Sequence, residues 1–142
     1  MATVKALLEQ RITGIGEVVL LGQRDVEAVI KAAAQKGGGQ CVTMMAVGGE
    51  NTQPNSRSGL EISTTFQISI YDSPNRRDHY ARHGYELVED IMRALQGQDY
   101  QEMPGQCSDT AIGSWFIEQD GGADIYTIPV TAKLKYTPIT IT

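Results

Sequence analysis

Residues 60–71 read LEISTTFQISIY. Leu60, Ile62, Thr64, Phe66, Ile68 and Ile70 alternate with Glu61, Ser63, Thr65, Gln67, Ser69 and Tyr71. A period of two held over a dozen residues predicts a long β-strand with one face buried. A slip of one residue would turn every apolar side chain to water, so the register is strongly specified. A strand of this kind needs paired neighbours on its edges and a layer over its apolar face.

The flanking sequence supplies both. Asp72-Ser73-Pro74-Asn75 reads as a turn into a helix, with Ser73 as N-cap and Pro74 at the first helical position. Tyr80, Gly84, Leu87, Val88, Ile91 and Leu95 then form an apolar stripe. Arg82, Glu86, Glu89, Asp90 and Arg93 fall on the outer face, and Gly97 suits the position after the helix end. Residues 98–109, with Pro104 and Gly105, read as a polar connection. Ile112 to Gln119 reads as a strand and Asp120-Gly121-Gly122 as a turn. Tyr126, Ile128, Val130, Ala132, Leu134 and Tyr136 alternate along a last strand. Pro129 lacks a backbone donor, so it must lie at an edge, at a bulge, or where its nitrogen faces away from a ladder. The tail, residues 137–142, is β-prone but has no evident partner within the domain.

Upstream, Val4, Leu7, Leu8 and Arg11 follow helical spacing, which predicts a helix over residues 3–12 with Thr3 as N-cap. Glu17 to Leu21 is an apolar run too short to assign. Asp25 looks like an N-cap, and Val26, Val29, Ile30 and Ala33 predict a helix to Lys36, stopped by Gly37-Gly38-Gly39. Gln40 to Val47 reads as a strand. Residues 48–59, GGENTQPNSRSG, read as a flexible loop. The expected fold class is α+β, a single two-layer domain over residues 1–142: a mostly antiparallel mixed sheet with helices packed on one face.

Composition agrees with one folded domain. The chain has 142 residues, 41% hydrophobic and 20% charged, with net charge −5. The acidic excess argues against a dedicated nucleic-acid binder. It is concentrated in residues 83–132, where Arg93 stands against nine acids for a net of −8. Two cysteines make no disulfide framework and point to a reducing compartment. No signal peptide is read at the N-terminus, and no stretch approaches the ~20 apolar residues of a membrane span.

Catalytic chemistry is thinly represented. His79 and His83 stand at i, i+4 with Glu86 at i+7, a helical spacing that puts three possible metal ligands on one face. The internal Glu of HExxH and a fourth ligand are missing. Cys41 and Cys107 lie in neither a CxxC nor a nucleophile elbow, and read as small buried hydrophobes. Gly14-x-Gly16 lacks the preceding strand and third glycine of a dinucleotide fingerprint. Glu86, Glu89 and Asp90 sit with Arg82 and Arg93 in the spacing of an ordinary solvated helix face. Arg76, Arg77 and Arg82 are misplaced for the dipole of the helix they open, which favours acids there, and so point to an interface.

The order of these elements is familiar. The segment ISTTFQISIYDSPNRRDHYARHGYELVEDIMRAL, residues 62–95, joins a long alternating strand to a helix with Tyr85-x-Leu87-Val88-x-x-Ile91-x-x-Ala94-Leu95. A polar connection and the strands IGSWFIEQDGG and IYTIPVTAKLKY follow. The chain resembles the tail terminator, or tail-completion, proteins of Mu-like and related tailed bacteriophages. The resemblance covers most of the chain and consists of length, element order and hydrophobic pattern.

It implies a structural protein of the virion, not an enzyme, with no cofactor and no metal. Such proteins form a hexameric ring on the head-proximal end of the tail tube. The ring ends tube polymerisation and gives the neck and head-completion proteins a docking surface. The implied partners are further copies of the chain, the tail tube protein and the neck proteins, with genomic DNA passing through the lumen unbound. The implied location is the virion tail, and the host cytoplasm during assembly. On this reading Arg76, Arg77 and Arg82 are candidates for the contact between subunits. Gly49, Glu50, Asn51, Asn55 and Arg57 are candidates for a partner-docking loop. Glu86, Glu89, Asp90, Glu118, Asp120 and Asp124 are candidates for an acidic lumen face, across which DNA would slide without releasing counterions. A neck or head-completion protein is the alternative. A small metal-dependent enzyme using His79, His83 and Glu86 is the remote one.

Overall fold

The computed structural model describes residues 2–12, 18–21, 40–52, 54–55, 60–73, 84–96, 100–102, 105–120 and 123–136. Within them lie two helices, α1 (Ala2–Arg11) and α2 (Gly84–Leu95). Seven strands form one sheet: β1 (Val18–Leu20), β2 (Gln40–Asn51), β3 (Leu60–Asp72), β4 (Tyr100–Glu102), β5 (Gly105–Ile112), β6 (Phe116–Asp120) and β7 (Ala123–Tyr136). The strand order is β1-β2-β3-β7-β5-β4, with β6 also paired to β7. β1 runs parallel to β2 and every other pair is antiparallel. The expected α+β class and mostly antiparallel mixed sheet are thus observed.

The alternating strand is the spine. β3 pairs with β7 from Leu60↔Tyr136 to Asp72↔Asp124 and, on its other edge, with β2 from Gln40↔Asp72 to Asn51↔Ile62. Its even positions face the helices. Phe66, Ile68 and Ile70 are buried there, level with Val130, Ile128 and Tyr126 on β7 and, for Ile68 and Ile70, with Met44 and Val42 on β2. α2 closes this face with Leu87, Val88, Ile91 and Leu95. α1 adds Val4 and Leu8, with Ile12 just beyond its end. Burying side chains of this size is worth roughly 1.5–3 kcal/mol each, which sets one-turn helical spacing on α1 and α2 against period-two spacing on the sheet.

Polar contacts seat the helices. The N–H of Gly84 donates to Asp72 Oδ2 at 2.9 Å, the way an orphan donor of a first helical turn is satisfied from outside the helix. Arg11 Nη1 donates to the carbonyl of Ala94 at 2.9 Å, tying the C-terminal turns of α1 and α2 together. Glu9 Oε1 accepts from the N–H of Val18, fixing α1 to the start of β1.

Pro129 sits inside β7, between two neighbours, and its setting explains how. Its carbonyl accepts from Gly113 N–H at 2.9 Å, so its backbone polar side faces β5 and β6 and not β3. β5 leaves the ladder at Ile112↔Val130 and β6 joins it at Phe116↔Thr127. The missing donor therefore faces the break between the two strands, where no ladder bond is lost.

Three sequence expectations are corrected. The loop expected over residues 48–59 is shorter, because β2 continues to Asn51 after a register shift between Ala46 and Gly48. β3 is long enough to template it, and Gly49 has no side chain to obstruct Ile62, whose Cγ2 would lie 3.3 Å from an added Cβ. The polar connection at 98–109 contains β4 and most of β5, held by ladders to distant sequence that local patterning does not show. The single strand expected from Ile112 to Gln119 is two strands interrupted at 113–115. The unassigned run at 17–21 contains β1, a strand only because β2 lies beside it. The expected helix at 25–36, the first turns of the expected helix at 74–83 and the tail at 137–142 lie outside the described residues.

Gly84 gives a direct test of how α2 sits. A Cβ there would overlap the Tyr126 ring, with Cζ at 2.8 Å. Tyr126 is itself buried. Gly84→Ala should therefore destabilise the protein by about 1–3 kcal/mol despite the better helix propensity of alanine. Urea denaturation of both forms measures it, and equal or greater stability of the variant would contradict the packing.

Candidate interaction surfaces

The chemistry of this chain lies on its outside. Beyond Ala46 the hairpin of β2 and β3 leaves the helix layer. Ala46 to Asn51 are exposed, and Val47, the extra residue at the register shift, is 60% exposed. Thr52 closes the arm: its N–H and its hydroxyl both reach the Glu61 carbonyl, at 3.0 and 3.2 Å, and the hydroxyl donates to Glu61 Oε1 at 2.9 Å. Of the residues expected in a docking loop, Gly49, Glu50 and Asn51 lie on β2 in this arm and Asn55 lies in the turn beyond it. All four are exposed, and Arg57 is outside the described residues. Sequence reading therefore found the right surface but not its form, which is a paired strand.

The six acids expected on one face do not share one. Glu86, Glu89 and Asp90 are on α2, where Asp90 Oδ1 holds Arg93 Nη2 at 2.6 Å. Asp124 is at a helix-side register position, paired with Asp72 and Gln119. Glu118 and Asp120 hold register positions on the opposite face, because their neighbour Ile117 pairs with the helix-facing Tyr126. Period two divides what composition had grouped.

Arg76, Arg77 and Arg82 lie outside the described residues, as do His79 and His83. Among the described residues no three of His, Cys, Asp and Glu are grouped so as to hold a metal. No described helix is long and apolar enough to cross a membrane.

One exposed surface was not singled out in the sequence. Residues 113–119 are exposed without interruption. They include Trp115 at 39%, Phe116 at 48% and Ile117 at 50%. The Trp115 ring lies 6.2 Å from that of Tyr126, tilted by 37°. The available signal was the run Trp115-Phe116-Ile117 beside Gly113-Ser114, three large apolar residues with no alternation to send two of them inward.

The far face of the sheet is polar. Ser63, Thr65, Gln67 and Ser69 on β3 are level with Lys133, Thr131, Pro129 and Thr127 on β7. Cys41 is buried on this face opposite Tyr71, and burial pushes its thiol up to about 11 from 9.0.

No family model matches the chain, and no curated protein matches it. Among solved structures it is similar to a chain from the "Virion of native gene transfer agent (GTA) particle". The identity is 12% over 97% of this chain and 87% of that chain, with a TM-score of 0.46. At that score the likeness establishes no shared function.

The Cys41 thiol should be inert while the protein is folded. In a Cys107→Ser background, a maleimide at pH 7.5 should label the native protein far more slowly than the urea-unfolded protein, since thiolate is the reacting form. The stability contributed by the protonated thiol should be present below pH 9 and lost as pH rises toward 11. Rapid native labelling would contradict the burial.

Proposed function

We propose that this chain is a structural protein of a phage-like virion and, more finely, the terminator ring at the head-proximal end of a tail tube. The observation that carries this reading is the location of its exposed apolar side chains. Leu20, Val47 and Leu60 are exposed on the β1–β2–β3 side of the sheet and Trp115, Phe116 and Ile117 on the β6 side, with Tyr85 exposed on α2. Large apolar side chains left exposed in two separate clusters on a sheet suit assembly with partners.

Two different margins suit a cyclic oligomer, whose subunits meet through unlike patches. The β2–β3 arm projects a docking element toward a neighbour along the axis. On this reading the protein is not an enzyme, has no cofactor, and works by stopping the addition of tube subunits. Its partners are further copies of itself, the tail tube protein and the neck proteins, and it resides in the virion.

The test is the light-scattering mass after size exclusion, for the chain alone and with the tail tube protein of the same phage. A sixfold particle, or a complex that caps tubes and ends their growth, is expected. A chain that ignores tubes but binds portal or adaptor protein would transfer the proposal to a neck protein. Stoichiometric zinc with hydrolytic activity lost in His83→Ala would replace it by an enzyme. The double variant Arg76→Glu, Arg77→Glu should weaken ring assembly; unchanged assembly would remove these arginines from the subunit contact.

A further inference from the structure

The outer edge of β6 has a feature that the terminator reading does not use. β6 pairs with β7 from Phe116↔Thr127 to Asp120↔Ala123, and among the described residues no strand pairs with its other edge. The direction of its backbone groups follows from Pro129, whose carbonyl points toward β5 and β6. Along a strand these directions alternate, so Thr127, Ile125 and Ala123 also point toward β6, and their partners Phe116, Glu118 and Asp120 answer them. Ile117 and Gln119 then present their N–H and C=O groups outward. Among the described residues the edge thus combines an unpaired ladder, exposed apolar side chains at Trp115, Phe116 and Ile117, and the exposed acid Glu118.

We infer that the outer edge of β6 is a β-augmentation site that takes an extended, basic strand from another protein, with apolar residues alternating with Lys or Arg. Main-chain bonds to Ile117 and Gln119 would give affinity and register. Ile117 and Trp115 would meet apolar side chains, and Glu118 would meet a cation on the opposite face. A second copy of the same strand is a poor occupant in the central register. Antiparallel pairing of two β6 strands about their centre sets Glu118 directly against Glu118, and like charges opposite each other destabilise a ladder. The acid therefore disfavours self-pairing in that central register while attracting a basic partner. The inference rests on the β6 edge alone and stands whether or not the chain is a terminator.

Trp115 is the sole tryptophan of the chain, so its fluorescence reports this edge directly. The probe is a capped ten-residue peptide of alternating lysine and valine, with a glutamate–valine peptide as control. The lysine peptide should shift the Trp115 emission saturably and more weakly in high salt, and the glutamate peptide should not. Gln119→Pro removes the outward N–H while leaving the bonds that Glu118 and Asp120 direct to β7. It should weaken lysine-peptide binding by about tenfold or more, with far-UV circular dichroism and thermal midpoint unchanged. Glu118→Lys should reverse the preference between the two peptides.

Absence of saturable binding up to millimolar peptide would overturn the inference. So would equal binding of both peptides, or equal binding by a folded Gln119→Pro. Self-association of the wild type that Gln119→Pro abolishes would give the edge to a second copy and overturn the basic-partner assignment. None of these outcomes alters the tube-capping test, so failure here and failure of the terminator reading are separable.

Discussion

Everything described in this protein hangs on the double pairing of β3. A strand with neighbours on both edges from Ile62 to Asp72 has its backbone donors and acceptors committed there, and its side chains are sorted by register into two faces. Phe66, Ile68 and Ile70 are forced to one side, and α1 and α2 are held by the apolar surface that results. The hydroxyls and amide of Ser63, Thr65, Gln67 and Ser69 are forced to the other. β7 repeats the pattern one ladder away, so the core is a period-two surface covered by helical stripes.

The same constraint creates the exposed parts. β3 is longer than the helix layer above it, so the β2–β3 hairpin continues as a paired arm beyond the core. β7 is long enough to take β5 and β6 in succession on one edge. The break between them absorbs the missing donor of Pro129 and turns residues 113–115 outward. Among the described residues β6 is thereby left with one paired edge, and Phe116 to Gln119 are exposed on both faces. The surfaces open to partners are consequences of unequal strand lengths on a shared ladder.

The exposed apolar side chains of the described sheet fall in two places, on the β1–β2–β3 side and on β6. The proposed ring reading would use the β2–β3 arm, whose Gly49, Glu50 and Asn51 are exposed, as a contact with an axial neighbour. The β6 edge adds a contact of different chemistry, a main-chain ladder selected by charge. On the proposed reading, contacts with its own copies and contacts with unlike partners would then not compete for one patch.

How much was legible in the sequence depended on whether the signal was local. Alternation in 60–71 and 126–136, and the stripe Leu87, Val88, Ile91 and Leu95, announced β3, β7 and α2, because burial acts on each side chain where it stands. β1, β4 and the distal half of β2 were not legible: their residues are short, polar or glycine-rich, and they become strands only because a distant strand offers a ladder. The acids at 86–90 and 118–124 looked like one face because composition is blind to pleat, and only the register of β6 on β7 separated them. The β6 edge was invisible for the same reason. Its outward backbone groups are defined by a carbonyl of Pro129 on another strand, and no property of Phe116 to Asp120 by itself determines which way they point. The sequence by itself determined which faces are apolar; the tertiary structure alone decided which edges remain open, because side-chain burial follows local periodicity whereas hydrogen-bond pairing is settled between segments far apart in the chain.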